Sequence, residues 1–184
     1  IISQKEGNYY GATSFHPSYL GQIKHECAKI RLMDTKFRYQ NFTLPNGLQV
    51  ILYPMTSVMS IHLLLYVRVG AIFEKFKEQG ISHFTEHASF LGTEKYPSVQ
   101  ILAEMEEQIG AYFNAFTSSD KTYYIFKAPH LYTQKALELL YEHVFRPLAV
   151  EEEVIKERGV IVSEFNDFWH TPDKRFFFES WKRR

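Results

Sequence analysis

The string His83-Phe84-Thr85-Glu86-His87 sets two imidazoles four positions apart, with a carboxylate beside the second. On a helix, positions i and i+4 share a face, so both rings can reach one metal ion. Glu86 falls at the edge of that face, close enough to serve a water on the metal without itself being a ligand. The same trio can stand on a solvated helix face, so its meaning turns on whether the chain supplies a third ligand. Downstream, Glu157 and Glu164 are seven residues apart, two helical turns, and therefore share a face. They flank an apolar stripe of Val154, Ile155, Ile161 and Phe165, from which a carboxylate can point inward. A solvated acidic pair is the ordinary alternative. Two histidines and a glutamate are the usual donors of a catalytic zinc site, with the fourth position left to water.

These residues need elements to carry them. Gly80 introduces a helix over residues 81–91, with Ile81, Phe84, Ala88 and Leu91 as its core stripe and the two histidines beside it. Before it, Phe42–Leu44 and Leu48–Tyr53 read as a hairpin around Pro45-Asn46-Gly47, because Asn-Gly tolerates the positive φ of a tight turn. Ile61–Val69 is apolar and β-branched enough for a buried strand. After Pro97, Ser98–Ile109 reads as an amphipathic helix stopped by Gly110. Ala111–Thr117 and Lys121–Lys127 form a second hairpin around Ser118-Ser119-Asp120. Tyr132–Phe145 and Val150–Trp169 are helices parted by Arg146-Pro147, and Glu151-Glu152-Glu153 suits the positive end of the second helix dipole. Short helices are also expected over Tyr19–Leu32 and from Asp173 to Arg184. The order predicts an α+β fold, a largely antiparallel sheet packed by helices.

Composition narrows the function classes. The 184 residues carry 21 basic and 21 acidic side chains, so nothing favours nucleic acid or an anionic membrane as partner. No run of apolar residues reaches the length of a membrane span. A single cysteine, Cys27, excludes a disulfide framework within the chain and a cysteine-rich zinc finger. It fits a reducing compartment, and a cytoplasmic location is the expectation, with an organelle or the periplasm as alternatives. The aromatic content, 16 Phe and 12 Tyr, suits broad packing surfaces or an apolar groove. His16, His25, His62, His130, His143 and His170 lack ligand spacing with one another and read as structural or exposed.

With these residues in view, the chain resembles the pitrilysin/insulinase family of zinc metallopeptidases, the inverzincins, and in particular their N-terminal catalytic domain. The family pairs H-x-x-E-H with a glutamate about 76 residues later, and 76 residues lie between His87 and Glu164. The resemblance runs from about Phe42 to Phe168, through Leu44-Pro45-Asn46-Gly47-Leu48 and Gly80 before the motif. It continues through Phe90-Leu91-Gly92-Thr93-Glu94-Lys95-Tyr96-Pro97 and Asn114-Ala115-Phe116-Thr117-Ser118, then Thr122 and Tyr124. The last block is Glu157-Arg158-Gly159-Val160-Ile161-Val162-Ser163-Glu164. The resemblance implies that His83, His87 and Glu164 bind one Zn²⁺ per chain and that Glu86 is the general base. It implies that Glu157 orients a ligand from behind, and that the strand bearing Asn114 and Ala115 pairs with the backbone of a peptide substrate.

The resemblance also implies a second homologous domain or subunit closing over the substrate in a clamshell. That opposing half contributes an Arg and a Tyr. Residues 39–184 are expected to form the zinc-bearing domain, truncated at its C-terminal end and one incomplete half of the clamshell, with residues 1–38 as an extension of unknown role. The residue after Gly70 is Ala71 where the family usually has Ser. The leading expectation is a metalloendopeptidase acting on extended peptides, weakly active or inactive as an isolated chain. The alternative is a non-catalytic peptide-binding or assembly subunit of a two-component peptidase. A purely structural zinc is the third reading, although such sites normally fill all four positions and prefer cysteine.

Overall fold

The computed structural model describes residues 2–4, 39–55, 57–173, 175 and 176. The helix expected at Tyr19–Leu32 lies outside them, as do His16, His25 and most of the stretch from Asp173 to Arg184. The chain divides into two compact units, Ile1–Leu148 and Ala149–Arg184.

The first unit is built on one six-stranded sheet of strands β1 (Ile2–Gln4), β2 (Gln40–Thr43), β3 (Leu48–Leu52), β4 (Ser60–Val67), β5 (Tyr112–Thr117) and β6 (Thr122–Pro129). Their spatial order is β2-β3-β1-β4-β6-β5. Every pairing is antiparallel except β1 with β4, so the fold is α+β around a largely antiparallel sheet. The β2–β3 hairpin forms as its sequence requires: Gly47 takes φ 86°, and the Leu48 N–H donates to Asn46 Oδ1 at 3.1 Å. Strand β1 sits between β3 and β4, pairing Ile2 with Val50 on one side and with Leu65 on the other.

Helices α1 (Ile81–Ala88), α2 (Val99–Gln108) and α3 (Thr133–Phe145) complete this unit. Strand β6 alternates, turning Thr122, Tyr124, Phe126 and Ala128 inward. Against that row α3 lays Ala136, Leu139 and Leu140, and the core closes with Leu102, Ile109, Phe113 and Tyr96. Ser98 caps α2 by accepting from the Ile101 N–H at 3.2 Å, and Gly110 takes φ 60° just past its end.

The second unit is described by its helix α4 (Glu151–His170). Three glutamates occupy its first turn, and Lys156 bridges Glu152 at 3.2 Å and Glu153 at 2.8 Å. The apolar stripe expected to turn inward is not buried: Ile155 is 64% exposed and Phe165 60%. No helix among the described residues is long and apolar enough to cross a membrane.

Candidate metal and peptide site

Helix α1 is only eight residues long, and both of its ends are held by hydrogen bonds. At the start, Gly80 takes φ 93°, a conformation that costs glycine little. Glu74, from the preceding loop, reaches across the first turn: Oε2 accepts from the Gly80 N–H at 2.7 Å and Oε1 from the Ser82 N–H at 2.8 Å. Burial pushes the Glu74 carboxyl up, but hydrogen bonds from Gly80 and Ser82 and the nearby His83 outweigh it and hold the group below the usual carboxylate range. At the other end, the Ser89 N–H and Oγ–H both donate to the Glu86 carbonyl, at 3.0 and 2.6 Å.

Of the apolar stripe expected of this helix, Ala88 is buried and Phe84 and Leu91 are half-buried, whereas Ile81 is 53% exposed. Ser82 and Glu86 are buried instead, with Ser89 following. The polar row Ser82, Glu86 and Ser89, at spacings of four and three, faces the interior, and the Ser82 hydroxyl and one Glu86 oxygen lie there without a partner among the described residues.

His83 and His87 are half-buried and converge. Their rings stand nearly perpendicular, with centroids 4.5 Å apart and Nε2 atoms 3.1 Å apart. Two imidazoles bound tetrahedrally at Zn–N ~2.0–2.1 Å would hold their nitrogens about 3.3 Å apart, so the pair fits one metal ion with little adjustment. On the buried side of the same turn, Glu86 is 9% exposed and its Oε2 has no hydrogen-bond partner among the described residues. This orphaned carboxylate oxygen, one residue from His87, is free to accept a hydrogen bond or a proton. Burial, joined by the charge of Glu86, pushes the Tyr124 hydroxyl up to about 12, so this phenol stays protonated.

Asn114 and Ala115 lie on β5, the last strand in the sheet order and packed against α1. Asn114 is held on both sides, its amide donating to the Tyr112 hydroxyl at 2.9 Å and its Oδ1 accepting from the Ala115 N–H at 2.9 Å. Glu157 and Glu164 are carried by α4 of the second unit, the first half-buried and the second exposed. Glu74 escaped sequence reasoning because it precedes its helix by several residues, outside any capping pattern. Glu106 and His143 escaped it too; they pair across 37 residues with Nε2–Oε1 at 2.7 Å, and no local spacing signals that.

The profile of the family described as insulinase (peptidase family M16) matches residues 50–180. An uncharacterized zinc protease of Rickettsia felis is 39% identical over 130 residues, which are 71% of this chain and 31% of that protein. The beta subunit of the mitochondrial-processing peptidase of Rattus norvegicus is 33% identical over 124 residues, 67% of this chain and 25% of that protein. Among solved structures, a protease from Helicobacter pylori superposes with a TM-score of 0.64 at 30% identity, covering 70% of this chain and 31% of that one. The chain thus spans less than a third of the length of these relatives.

Proposed function

Since this chain belongs to the insulinase family, peptidase family M16, we propose that it is the zinc-bearing part of a metalloendopeptidase that hydrolyses extended peptides. The observation that carries this reading is the pair of Nε2 atoms 3.1 Å apart, one residue from a buried carboxylate with an unpartnered oxygen.

His83 and His87, together with Glu164 from the second unit, would hold one Zn²⁺. When bound, zinc supplies Lewis acidity toward a peptide carbonyl and brings the pKa of its water toward neutrality. Glu86 takes a proton from the attacking water onto its unpartnered oxygen and later delivers it to the departing amine. Glu157, two turns before Glu164 on the same face, orients a ligand from behind. Strand β5 takes the substrate as a further strand, through main-chain hydrogen bonds that do not demand a particular sequence. A second homologous domain or a partner subunit supplies the opposite wall, and the isolated chain is correspondingly weak or inactive.

Glu86→Gln in the full-length protein tests the base. The amide keeps shape and metal but cannot take the proton, so zinc content by elemental analysis stays at one per chain and peptide hydrolysis falls at least about 100-fold. Unchanged turnover in that variant removes Glu86 from the role.

A further inference from the structure

We infer that His143 is a positioning residue that fixes the metal-bearing helix and the substrate strand relative to each other. The inference rests on the roles proposed above for α1 and β5.

His143 is 1% exposed, and both of its ring nitrogens are engaged. Nδ1 stands 2.7 Å from the carbonyl oxygen of Ser89. A carbonyl only accepts, so Nδ1 carries the hydrogen and donates. Nε2 stands 2.7 Å from Glu106 Oε1, within hydrogen-bond distance. The flat face of the ring stacks on Phe113 with centroids 3.8 Å apart and planes within 25°. Four elements therefore meet at one imidazole: α3, which carries it; α2 through Glu106; the end of α1 through Ser89; and β5 through Phe113.

The two contacts that matter lie next to the proposed chemistry. Ser89 is the residue whose N–H and Oγ–H hold the Glu86 carbonyl, so its main chain sets where the last turn of α1, with Glu86 and His87, comes to rest. Phe113 immediately precedes Asn114 and Ala115 on the strand proposed to carry the substrate. A leucine at 143 would fill most of the space and keep an apolar contact with Phe113, without the flat ring face. It would leave the Ser89 carbonyl and the Glu106 carboxylate without their partner, so that the end of α1 would meet β5 only through apolar contacts such as Phe90 on Phe113, whose centroids are 4.8 Å apart. His143 touches no reacting atom. Its work is to set the distance between the base and the bond that lies along β5, to which rate responds steeply.

The test uses the full-length protein with His143→Leu and His143→Gln, the second of which keeps an N–H donor for Ser89. Amide hydrogen exchange is read on the metal-free proteins at residues 86–92 and 111–116. His143→Leu should raise exchange about tenfold in both segments together, while β4 and β6 stay as they were. His143→Gln should restore the 86–92 segment. In the zinc-loaded protein, kcat on an extended peptide should fall about tenfold in His143→Leu with KM within about twofold, and recover in His143→Gln. Unchanged exchange at both segments, or an equal rise across the whole sheet, overturns the inference. Should His143→Leu fail to fold, Glu106→Leu decides: the same two segments should exchange about threefold faster, and no change there overturns it. If the unsubstituted zinc protein cleaves nothing, the peptidase reading falls while the exchange result still decides the role of His143.

Discussion

The carboxylate of Glu74 lies across the first turn of α1, with Oε1 accepting from the backbone N–H of Ser82 at 2.8 Å and Oε2 reaching Gly80. One acidic side chain thus satisfies two of the donors a helix start leaves unpaired, at the positive end of the dipole. Glu74→Ala should cost about 1–2 kcal/mol of stability, read as a lower urea midpoint of the first unit. The folded-state pKa of Glu74 is depressed, so its contribution is present above the ordinary glutamate range and is lost as pH falls below it. The gap between Glu74→Ala and the unsubstituted protein should therefore close in acid. A gap that widens there refutes the capping role.

Zinc binding separates the ligands from their support. His83→Ala and His87→Ala each remove one of two converging imidazoles, and both should lose stoichiometric zinc by elemental analysis. Glu164→Gln should lower affinity strongly. Glu157→Gln should lower it only about tenfold and still fill at saturating zinc, because a group that orients a ligand contributes less than the ligand itself. Retention of tight zinc in either histidine variant overturns the site.

The convergence of His83 and His87 was legible because it depends on local spacing: four positions put both rings on one face in any helix. The hairpins were legible from their turn residues, Gly47 above all. The phase of α1 was not. Reading Ile81 as core assumed that apolar residues win the interior, but Ser82 and Glu86 are buried and Ile81 is exposed. The helix is held at its ends by Glu74 and by His143 against the Ser89 carbonyl, contacts across the chain that periodicity does not register. His143 read as bland for the same reason, since its partners Ser89 and Glu106 lie 54 and 37 positions away. Strand β1 is three residues long, too short for any period, and its place between β3 and β4 is set by pairing alone.

Gly70 should resist substitution for reasons of space rather than φ, which is extended at −172°. A Cβ there would lie 2.4 Å from the Ser118 carbonyl oxygen, 2.7 Å from that of Ser119 and 2.8 Å from the Lys121 nitrogen. All three are backbone atoms of the β5–β6 turn, and the loop is already tied to them by the Ile72 N–H donating to the Ser119 carbonyl at 2.9 Å. Gly70→Ala should cost about 2 kcal/mol or more, measured by thermal unfolding. A neutral outcome means that the turn yields freely.

A cluster remote from the motif gives the last prediction. Tyr96 is buried and donates to Glu138 Oε1 at 2.8 Å, while Lys135 donates to the Tyr96 hydroxyl and Lys95 to the same carboxylate. Burial pushes the Glu138 carboxyl up, but the bonds from Lys95 and Tyr96 and the charges of the two lysines outweigh it and leave the group below its ordinary range. The ionised form therefore adds stability above the unfolded-state pKa of glutamate, and that addition vanishes as pH falls through the lower folded value. Glu138→Gln should be less stable than the unsubstituted protein at pH 7 and nearly equal to it in acid, by urea midpoints at the two pH values. Tyr96→Phe should cost about 1 kcal/mol and shrink that pH dependence, because Glu138 would lose the phenol that helps hold it ionised. If Tyr96→Phe leaves the acid limb unchanged, the lysines alone set the carboxylate and the tyrosine only fills space.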